Sequence, residues 1–290
     1  MKSGVVRSLG GLILILLATV VRSEEPPVTP LARDLLAAHN KERAAEKLPP
    51  LTLDPILTKA AVEHARDMAE HDQLSHEGTD GSSPFDRIKR HDYHYMKAGE
   101  NVAQGQRDVA QVMRTWMDSK GHRANILGEF TQMGAARVKV GDGPPYWCVD
   151  FGKPYPKVDP KQAAGEALEK INAARKEAGK ETVKKSEKLD EVAHSFAAAM
   201  AAPKADKDKD EEKEAETKPP DLAAMLKDAG VSFRSVGMCV GVGNPTIDEA
   251  MKAILKDERQ KDAVLGSFRS VGIGYAKGAD DTPYWCVLLV

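Results

Sequence analysis

Apolar residues recur at helical spacing in three stretches of the first half of the chain. The first stretch begins at Thr29 and Pro30, and the second at Asp54 and Pro55; both pairs favour the cap and first turn of a helix. The third stretch follows Asp108, another residue that favours a helix cap. The pattern predicts three helices with apolar faces that include Leu35, Leu36 and Ala38; Ile56, Leu57, Ala60, Ala61, Ala65 and Met68; and Val109, Val112, Met113 and Trp116.

Strand signals appear later, at residues 133–140 and 146–151, with the turn sequence GDGPP between them. Glycines and a proline make residues 75–90 a predicted loop. Further helices are predicted near residues 162–178 and 188–202. Another should follow the capping box formed by Thr246 and Glu249.

The sequence contains an internal repeat, so the predicted elements should occur twice. Residues 98–151 align with residues 236–289 at a constant shift of 138 without a gap, and PYWCV occurs in both segments. Upstream residues align at a shift of 132, at which Asn40 and Arg43 match Asn172 and Arg175. A period this long indicates two whole domains.

The two copies differ at their ionisable positions. Glu100 corresponds to Met238 and His122 to Gln260, while His76 corresponds to a position within a run of charges. Glycines and apolar positions are retained. The sequence therefore predicts a shared scaffold with a candidate site in the first copy only.

These patterns divide the chain into segments. We predict a signal peptide at 1–23, a tether at 24–30, a first domain at 31–153, a proline-rich linker at 154–160 and a degenerate second domain at 161–290. The second domain contains an insertion at 204–218 with five lysines and seven acids. Such a composition predicts a solvated segment and not a metal site.

The N-terminus has the features of an export signal. Lys2 and Arg7 precede an apolar stretch at residues 9–21, and small residues precede the predicted cleavage near Glu24. An uncleaved anchor is the alternative, but the apolar stretch is short for a membrane span. We expect a secreted or periplasmic protein without a transmembrane anchor in the mature chain.

The composition and net charge limit the kinds of binding partner that we expect. Charged residues make up 30% of the chain, and the mean hydropathy is -0.44; both values are typical of a soluble protein. The length of 290 residues is sufficient for two domains, each with its own core. The formal charge of -2 becomes -5 without residues 1–23, because the cations Lys2, Arg7 and Arg22 are lost. A mildly acidic chain without a long basic stripe argues against a nucleic-acid partner.

Three cysteines are too few for a disulfide framework. Cys148 and Cys286 occupy equivalent strand positions, which favours a small buried side chain in each copy. A disulfide between Cys239 and Cys286 is an open alternative in an oxidising compartment.

Two histidines and a glutamate are the best candidates for chemistry. His76, Glu100 and His122 lie in three separate loop or loop-edge segments, LSHEG, AGENVAQG and SKGHRANIL. Neutral imidazoles with one carboxylate suit a divalent metal such as zinc, or a general acid–base cluster. Spacing alone does not show that the three residues meet.

An ordered set of motifs contains these candidates. The motifs are HN-x-x-R from His39, LSH ending at His76, GEN around Glu100, W-x-x-S-x-GHR-x-NIL from Trp116 and FT-x-MG from Phe130. In this order they resemble the bacterial branch of the CAP superfamily, the SCP-like domains of cysteine-rich secretory proteins, antigen 5 and pathogenesis-related proteins. The resemblance is strong over residues 31–152 and extends to the second copy through its scaffold positions.

The resemblance implies an α+β fold, a three-layer α-β-α sandwich in two tandem copies, with a cleft that holds two histidines and two acids. His76 and His122 match the histidines, and Glu100 matches the acid of GEN. Animal and plant members place a glutamate three residues after the tryptophan, where this chain has Ser119. The neighbouring Asp118 would point about 100° away on a helix. The resemblance thus implies a triad and a weak metal site, and not a full acid–base tetrad.

The other histidines are weaker candidates. His91 and His94 have the spacing of an i,i+3 metal pair, but surface placement is favoured. His64 and His71 are expected at solvent-facing or partly buried positions. His39 is expected to have a hydrogen-bonding structural role.

Two classes of function follow. The favoured one is a non-enzymatic binding module outside the cytoplasm, because the family is associated with lipid, metal or protein binding; its ligand would be a lipid, the cell wall or a protein. The alternative is a metal-dependent, peptidase-like hydrolase in which Glu100 is the base and His76 and His122 hold zinc. The missing second acid weighs against catalysis. The second domain is expected to be structural or to bind a partner.

The charged insertion yields a first test. Deletion of residues 204–218 should change the melting temperature little, because a segment without large apolar side chains contributes almost nothing to a core. Calorimetric melting of the intact and shortened chains measures this. A large loss of melting temperature would show that the insertion docks on the folded protein.

Overall fold

The computed structural model describes residues 29–203 and 220–290. The predicted signal peptide, most of the predicted tether and the charged insertion lie outside these ranges.

Residues 29–153 form five helices and four strands. In chain order these are α1 (Pro30–Ala45), β1 (Thr52–Leu53), α2 (Pro55–His71), α3 (Pro84–Arg90), β2 (Lys97–Gln104), α4 (Val109–Asp118), α5 (Lys120–Ile126), β3 (Gln132–Val138) and β4 (Tyr146–Lys153).

The three helices predicted from apolar spacing begin at their predicted caps. The side chain of Thr29 accepts a hydrogen bond from the backbone of α1, that of Asp54 from α2, and that of Asp108 from α4. These bonds satisfy N–H groups that have no partner within the helix. The local sequence pattern therefore placed these helix starts correctly.

The prediction of a continuous loop at residues 75–90 was wrong, because its last part is α3. Pro84 occupies the first turn of this helix, where its missing N–H costs nothing. Ser83 and Asp86 form a capping box around it. Because Pro84 contributed to the prediction of a loop, the sequence pattern did not indicate the helix that carries Arg87.

The first sheet has the strand order β1-β3-β4-β2, with β1 parallel to β3 and the other pairs antiparallel. Alternate side chains of β4 enter different cores. Trp147 and Phe151 pack in one core with residues of α1, α4 and α5. Cys148 packs in the other core with Ala61 and Ala65 of α2. The sheet thus lies between two helical layers, as predicted.

The second copy repeats this architecture. Its elements are α6 (Pro160–Glu177), β5 (Lys184–Lys185), α7 (Glu187–Ala201), α8 (Leu222–Asp228), β6 (Gly237–Val242), α9 (Ile247–Lys256), α10 (Glu258–Leu265), β7 (Ser270–Lys277) and β8 (Pro283–Leu289). Its sheet has the equivalent order β5-β7-β8-β6. The predicted tandem α-β-α fold is confirmed.

A buried arginine ties the first helix of each copy to a distant chain segment. The Nη1 atom of Arg43 donates to the carbonyl of Ile126 at 2.8 Å, and that of Arg175 donates to the carbonyl of Val264 at 2.6 Å. The donors are related by the shift of 132 and the acceptors by the shift of 138. The repeat therefore preserves hydrogen bonds that determine the fold.

The described cysteines are free and buried. Cys239 packs in the core next to α6 and α9, whereas Cys286 packs in the core next to α7. Their side chains lie on opposite faces of the second sheet, so the disulfide left open by the sequence does not form. In the part of the chain that the structure describes, no helix has the length and apolarity needed to cross a membrane.

Close approach of one helix to each sheet gives a matched test. A Cβ atom on Gly134 would lie 2.0 Å from a backbone atom of Leu57, and one on Gly272 would lie 2.2 Å from a backbone atom of Leu189. Gly134→Ala and Gly272→Ala should each lower the free energy of unfolding by at least about 1–3 kcal/mol, because backbone must move apart. Urea denaturation measures the loss.

The control is Gly165→Ala in α6, where a Cβ atom meets nothing within 4 Å. This helix substitution should stabilise by about 0.5–1 kcal/mol. Unchanged stability of the Gly134 and Gly272 variants would contradict the close packing of α2 and α7 on their sheets.

Candidate functional site

Glu100 lies in β2 directly opposite Asp150 of β4, so the two acids are cross-strand neighbours. Both are buried on the face of the sheet that α2 covers. The prediction that Glu100 belongs to a loop or loop edge was wrong. The polar GEN segment lacks the alternation that identifies a strand, and pairing with β4 creates the strand.

The Glu100 carboxylate has a partner at each oxygen. The Nδ1–H of His76 donates to Oε1 at 2.6 Å, and Nη2 of Arg87 donates to Oε2 at 2.7 Å. The Cys148 thiol also lies 3.5 Å from Oε2. Charge-assisted hydrogen bonds of this kind offset the cost of burying the carboxylate.

His64 of α2 lies beneath this group and is fully buried, so the expectation of a solvent-facing or partly buried position was wrong. Its Nε2–H donates to the carbonyl of Ser75 at 2.7 Å, and the same nitrogen lies 3.9 Å from Glu100. Burial lowers the pKa of His64 despite the nearby carboxylate. A neutral His64 therefore holds the segment that leads to His76.

Asp150 is a second acid that the sequence analysis did not identify as part of the site. Burial, followed by the charge of Glu100, raises the pKa of Asp150 well above its ordinary value. Its Oδ1 atom has no hydrogen-bond partner among the described residues. Burial and the neighbouring carboxylate thus both oppose ionisation of Asp150.

Glu100, Cys148 and Asp150 form a buried group that could hold a metal ion, with potential ligand atoms within 4.8 Å of one another. The Arg87 guanidinium forms an ion pair with the Glu100 carboxylate. A metal cation among these three residues would be repelled by the positive charge of Arg87. Burial also raises the pKa of Cys148 well above the ordinary thiol value, which opposes formation of the thiolate ligand.

The two predicted histidines have opposite electrostatic surroundings. The hydrogen bond to Glu100 raises the pKa of His76. Burial and then the charge of His76 lower the pKa of His122. Among the hydrogen bonds of the described residues, none links the His122 ring to Glu100.

His122 lies on α5, a short helix that the sequence analysis did not predict. Its Nδ1 atom is buried without a hydrogen-bond partner in the described part of the chain. The side-chain amide of Asn101 donates to the His122 carbonyl at 3.1 Å, and that of Asn125 donates to Asn101 Oδ1 at 2.9 Å. The asparagine of GEN thereby fixes α5 beside β2.

The remaining candidates lie elsewhere. Ser119 is the residue before α5 and makes no side-chain cap bond, and Asp118 is exposed. His91 contacts Glu63 at 2.5 Å, while His94 lies 3.3 Å from Asp92. Neither histidine belongs to a metal-binding group among the described residues.

His39 has the structural role expected for it. Its Nδ1–H donates to the carbonyl of Leu35 at 2.8 Å, and its ring packs against Trp116 and Phe151. Burial lowers the pKa of His39 to about 4.

The internal repeat contained a signal for two of the missed residues. At the shift of 132, His64 corresponds to Phe196, and at the shift of 138, Asp150 corresponds to Leu288. In each case the second copy has an apolar residue where the first copy has a buried ionisable one, as it has Met238 at the position of Glu100. Arg87 lies between the aligned blocks, so the same comparison could not identify it.

The repeated α-β-α fold, with its buried polar cluster around Glu100, defines a class of protein, namely proteins with tandem SCP-like domains. The family model described as CAP, cysteine-rich secretory protein family, matches residues 36–151 and 168–289. The chain belongs to the CAP family.

Individual relatives match one domain. The chain is similar to YkwD of Bacillus subtilis, with 38% identity over 113 residues, which cover 39% of this chain and 43% of that protein. It is similar to the membrane protein YlbC of the same organism, with 29% identity over 42% of this chain and 34% of that protein. The matches thus span less than half of these relatives.

A solved structure with a similar fold is that of an outer surface protein from Borrelia burgdorferi, with a TM-score of 0.41 and 24% identity. The likeness covers 45% of this chain and 98% of that one.

The raised pKa of Asp150 predicts a pH dependence of stability. Because its pKa is raised, the folded chain keeps a proton that the unfolded chain loses above about pH 4. The stability linked to this proton is complete below the unfolded pKa and is lost as pH rises toward the folded pKa, at about 1.4 kcal/mol per pH unit. Asp150→Asn cannot titrate, so its free energy of unfolding should gain on that of wild type as pH rises above about 4, the ordinary carboxyl value.

Urea denaturation across this pH range measures the difference. Asp118→Asn, the same substitution at an exposed position, is the control. If the Asp150→Asn curve runs parallel to wild type, Asp150 is not protonated in the folded chain.

Proposed function

We propose that this chain is an exported, non-enzymatic binding protein whose first domain binds a divalent metal such as zinc weakly through His76 and His122. Glu100 supports His76 without coordinating the metal. The second domain is a scaffold or a partner-binding surface. Export is inferred from the features of residues 1–23.

The residues present fit such a metal. His76 uses Nδ1 to bond Glu100, which leaves Nε2 as its free ring nitrogen, and 55% of this side chain is exposed. A carboxylate that accepts a bond from one ring nitrogen is the usual support for a metal-ligating histidine. His122 has a lowered pKa and is neutral at physiological pH, as a ligand must be. A bound metal would supply Lewis acidity and an attachment point for ligand groups.

Both oxygens of the Glu100 carboxylate already accept hydrogen bonds within the protein. This observation favours a binding function over hydrolysis. A general base needs an oxygen within hydrogen-bond reach of the attacking water. In this chain one oxygen accepts from His76 and the other from Arg87, and the side chain is 2% exposed. The second nearby acid, Asp150, is buried and has a raised pKa. These features disfavour the hydrolase alternative.

The second domain supports the same division of roles. Met238 takes the position of Glu100 and is 42% exposed. Gln260 takes the position of His122, and its Oε1 atom accepts a hydrogen bond from the backbone of Val240 at 2.8 Å. Neither side chain offers an imidazole or carboxylate to a metal. The ligand outside the metal site is a lipid, a cell-wall component or a protein; a nucleic acid is disfavoured by the charge of the chain.

Zinc titration into the full chain tests the proposal. We expect one zinc ion per chain by calorimetry, and loss of binding in His76→Ala and His122→Ala. Glu100→Ala should weaken binding by about 10- to 100-fold, the range for an outer-shell partner. Because protonation competes with coordination and the pKa of His76 is raised, binding should weaken as pH falls through a value above about 6.5.

His71→Ala is the matched control, because His71 is an exposed histidine of the same domain that contacts Asp67. It should bind zinc like wild type. The metal site is rejected if wild type binds no zinc, or if His122→Ala binds it equally well.

A further inference from the structure

Among the described residues, Arg87 is the one buried arginine or lysine that contacts Glu100, and it also contacts the segment that carries His76. Its Nη2 atom donates to Glu100 Oε2 at 2.7 Å and to the backbone carbonyl of His76 at 3.0 Å. Its Nη1 atom donates to the carbonyl of Ser82 at 2.8 Å. The side chain is 2% exposed, so it cannot itself meet a ligand in the cleft.

We propose that Arg87 is a positioning residue of the cleft: one guanidinium group fixes both the backbone and the ring of His76, and so presents His76 Nε2 to a metal. The backbone of His76 is held directly, through its carbonyl. The ring is held through Glu100, whose other oxygen accepts the Nδ1–H. The assignment of Nε2 as a ligand rests on the proposed function; the positioning of the ring does not.

The effect on the ring follows from the hydrogen bonds of Glu100. Arg87 donates to Oε2, so the carboxylate is fixed with Oε1 facing His76 Nδ1 as a hydrogen-bond acceptor. The neutral His76 ring must then carry its proton on Nδ1, which leaves the lone pair on Nε2. Without the guanidinium, the carboxylate and the His76 backbone lose their shared donor, Oε1 is no longer fixed against Nδ1, and the preference for this tautomer weakens.

The shape of the guanidinium matters as well as its charge. Arginine presents several N–H groups in a planar fork, whereas lysine is a point charge with three donors on a flexible stem. A lysine at this position would keep a positive charge beside Glu100 but would not hold the Ser82 and His76 carbonyls together with the carboxylate. Charge and shape therefore predict separable effects on the tautomer and on metal affinity.

The second copy lacks this arrangement in its described residues. Between α7 and β6 its helix is α8, with the sequence LAAMLKD, which contains no arginine, and Arg234 after this helix is exposed. Met238 replaces Glu100 and Leu288 replaces Asp150, so neither position holds a carboxylate that needs a cation. The arginine is thus present where the carboxylate and the histidine are present, as a positioning role requires.

Arg87→Gln, Arg87→Lys and the control Arg90→Gln test the inference in the full chain. Arg90 lies on the same helix but forms exposed ion pairs with Glu63 and Asp80. One readout is the ¹⁵N chemical shift of the His76 ring nitrogens in metal-free protein at alkaline pH, which reports the tautomer. The other is zinc affinity by calorimetry, and thermal melting checks that each variant is folded.

We expect wild type and Arg90→Gln to show the Nδ1–H tautomer and equal zinc affinity. Arg87→Gln should show a mixture of tautomers and a zinc affinity lowered by about 10- to 100-fold. Arg87→Lys should keep the tautomer but bind zinc more weakly than wild type.

A folded Arg87→Gln variant with the wild-type tautomer and wild-type zinc affinity overturns the inference. If that variant does not fold, an unchanged zinc affinity in Arg87→Lys overturns it instead. If wild type binds no zinc, the proposed metal site fails, and the tautomer of Arg87→Gln still decides whether Arg87 positions the ring.

Discussion

Burial of the Glu100 carboxylate is the constraint on which the rest of the cleft depends. An unpaired ion beneath α2 would cost several kcal/mol, so the carboxylate needs donors at both oxygens. Arg87 supplies the charge and His76 supplies the second N–H. As a result, α3 and the segment around His76 are attached to β2. A second anion at Asp150 would have no cation of its own, and burial and the charge of Glu100 raise the pKa of Asp150.

The tandem repeat separates the residues that maintain the fold from those that make the cleft. Arg43 and Arg175 make equivalent buried hydrogen bonds, and both sheets have the same strand order. Within the described residues, the charged cluster is confined to the first copy. In the second copy, its counterparts Phe196 and Leu288 belong to one apolar core. The α-β-α scaffold therefore tolerates either a polar network or an apolar core at this place, provided that each is internally satisfied.

The same constraint determines what the cleft offers to a ligand. The carboxylate is occupied internally, so its influence on the cleft passes through the His76 ring, whose pKa it raises. His122 has a lowered pKa because it is partly desolvated and lies near His76. In the proposed metal site, one ring is held by an anion and the other is kept neutral, so both donors are nitrogen atoms. Such donors suit zinc and similar metals better than the oxygen-preferring calcium or magnesium.

The sequence by itself determined the repeat, the main helix starts and the motif residues His76, Glu100 and His122, because caps, apolar periodicity and ordered motifs are local properties. It did not reveal β2 or α5, whose polar segments lack a clear period and acquire their structure from pairing and packing. Only the tertiary structure decided what surrounds Glu100. Arg87 reaches it from α3, and Asp150 reaches it through the register between β2 and β4. That register depends on packing of the whole sheet against its helices, which no local pattern encodes.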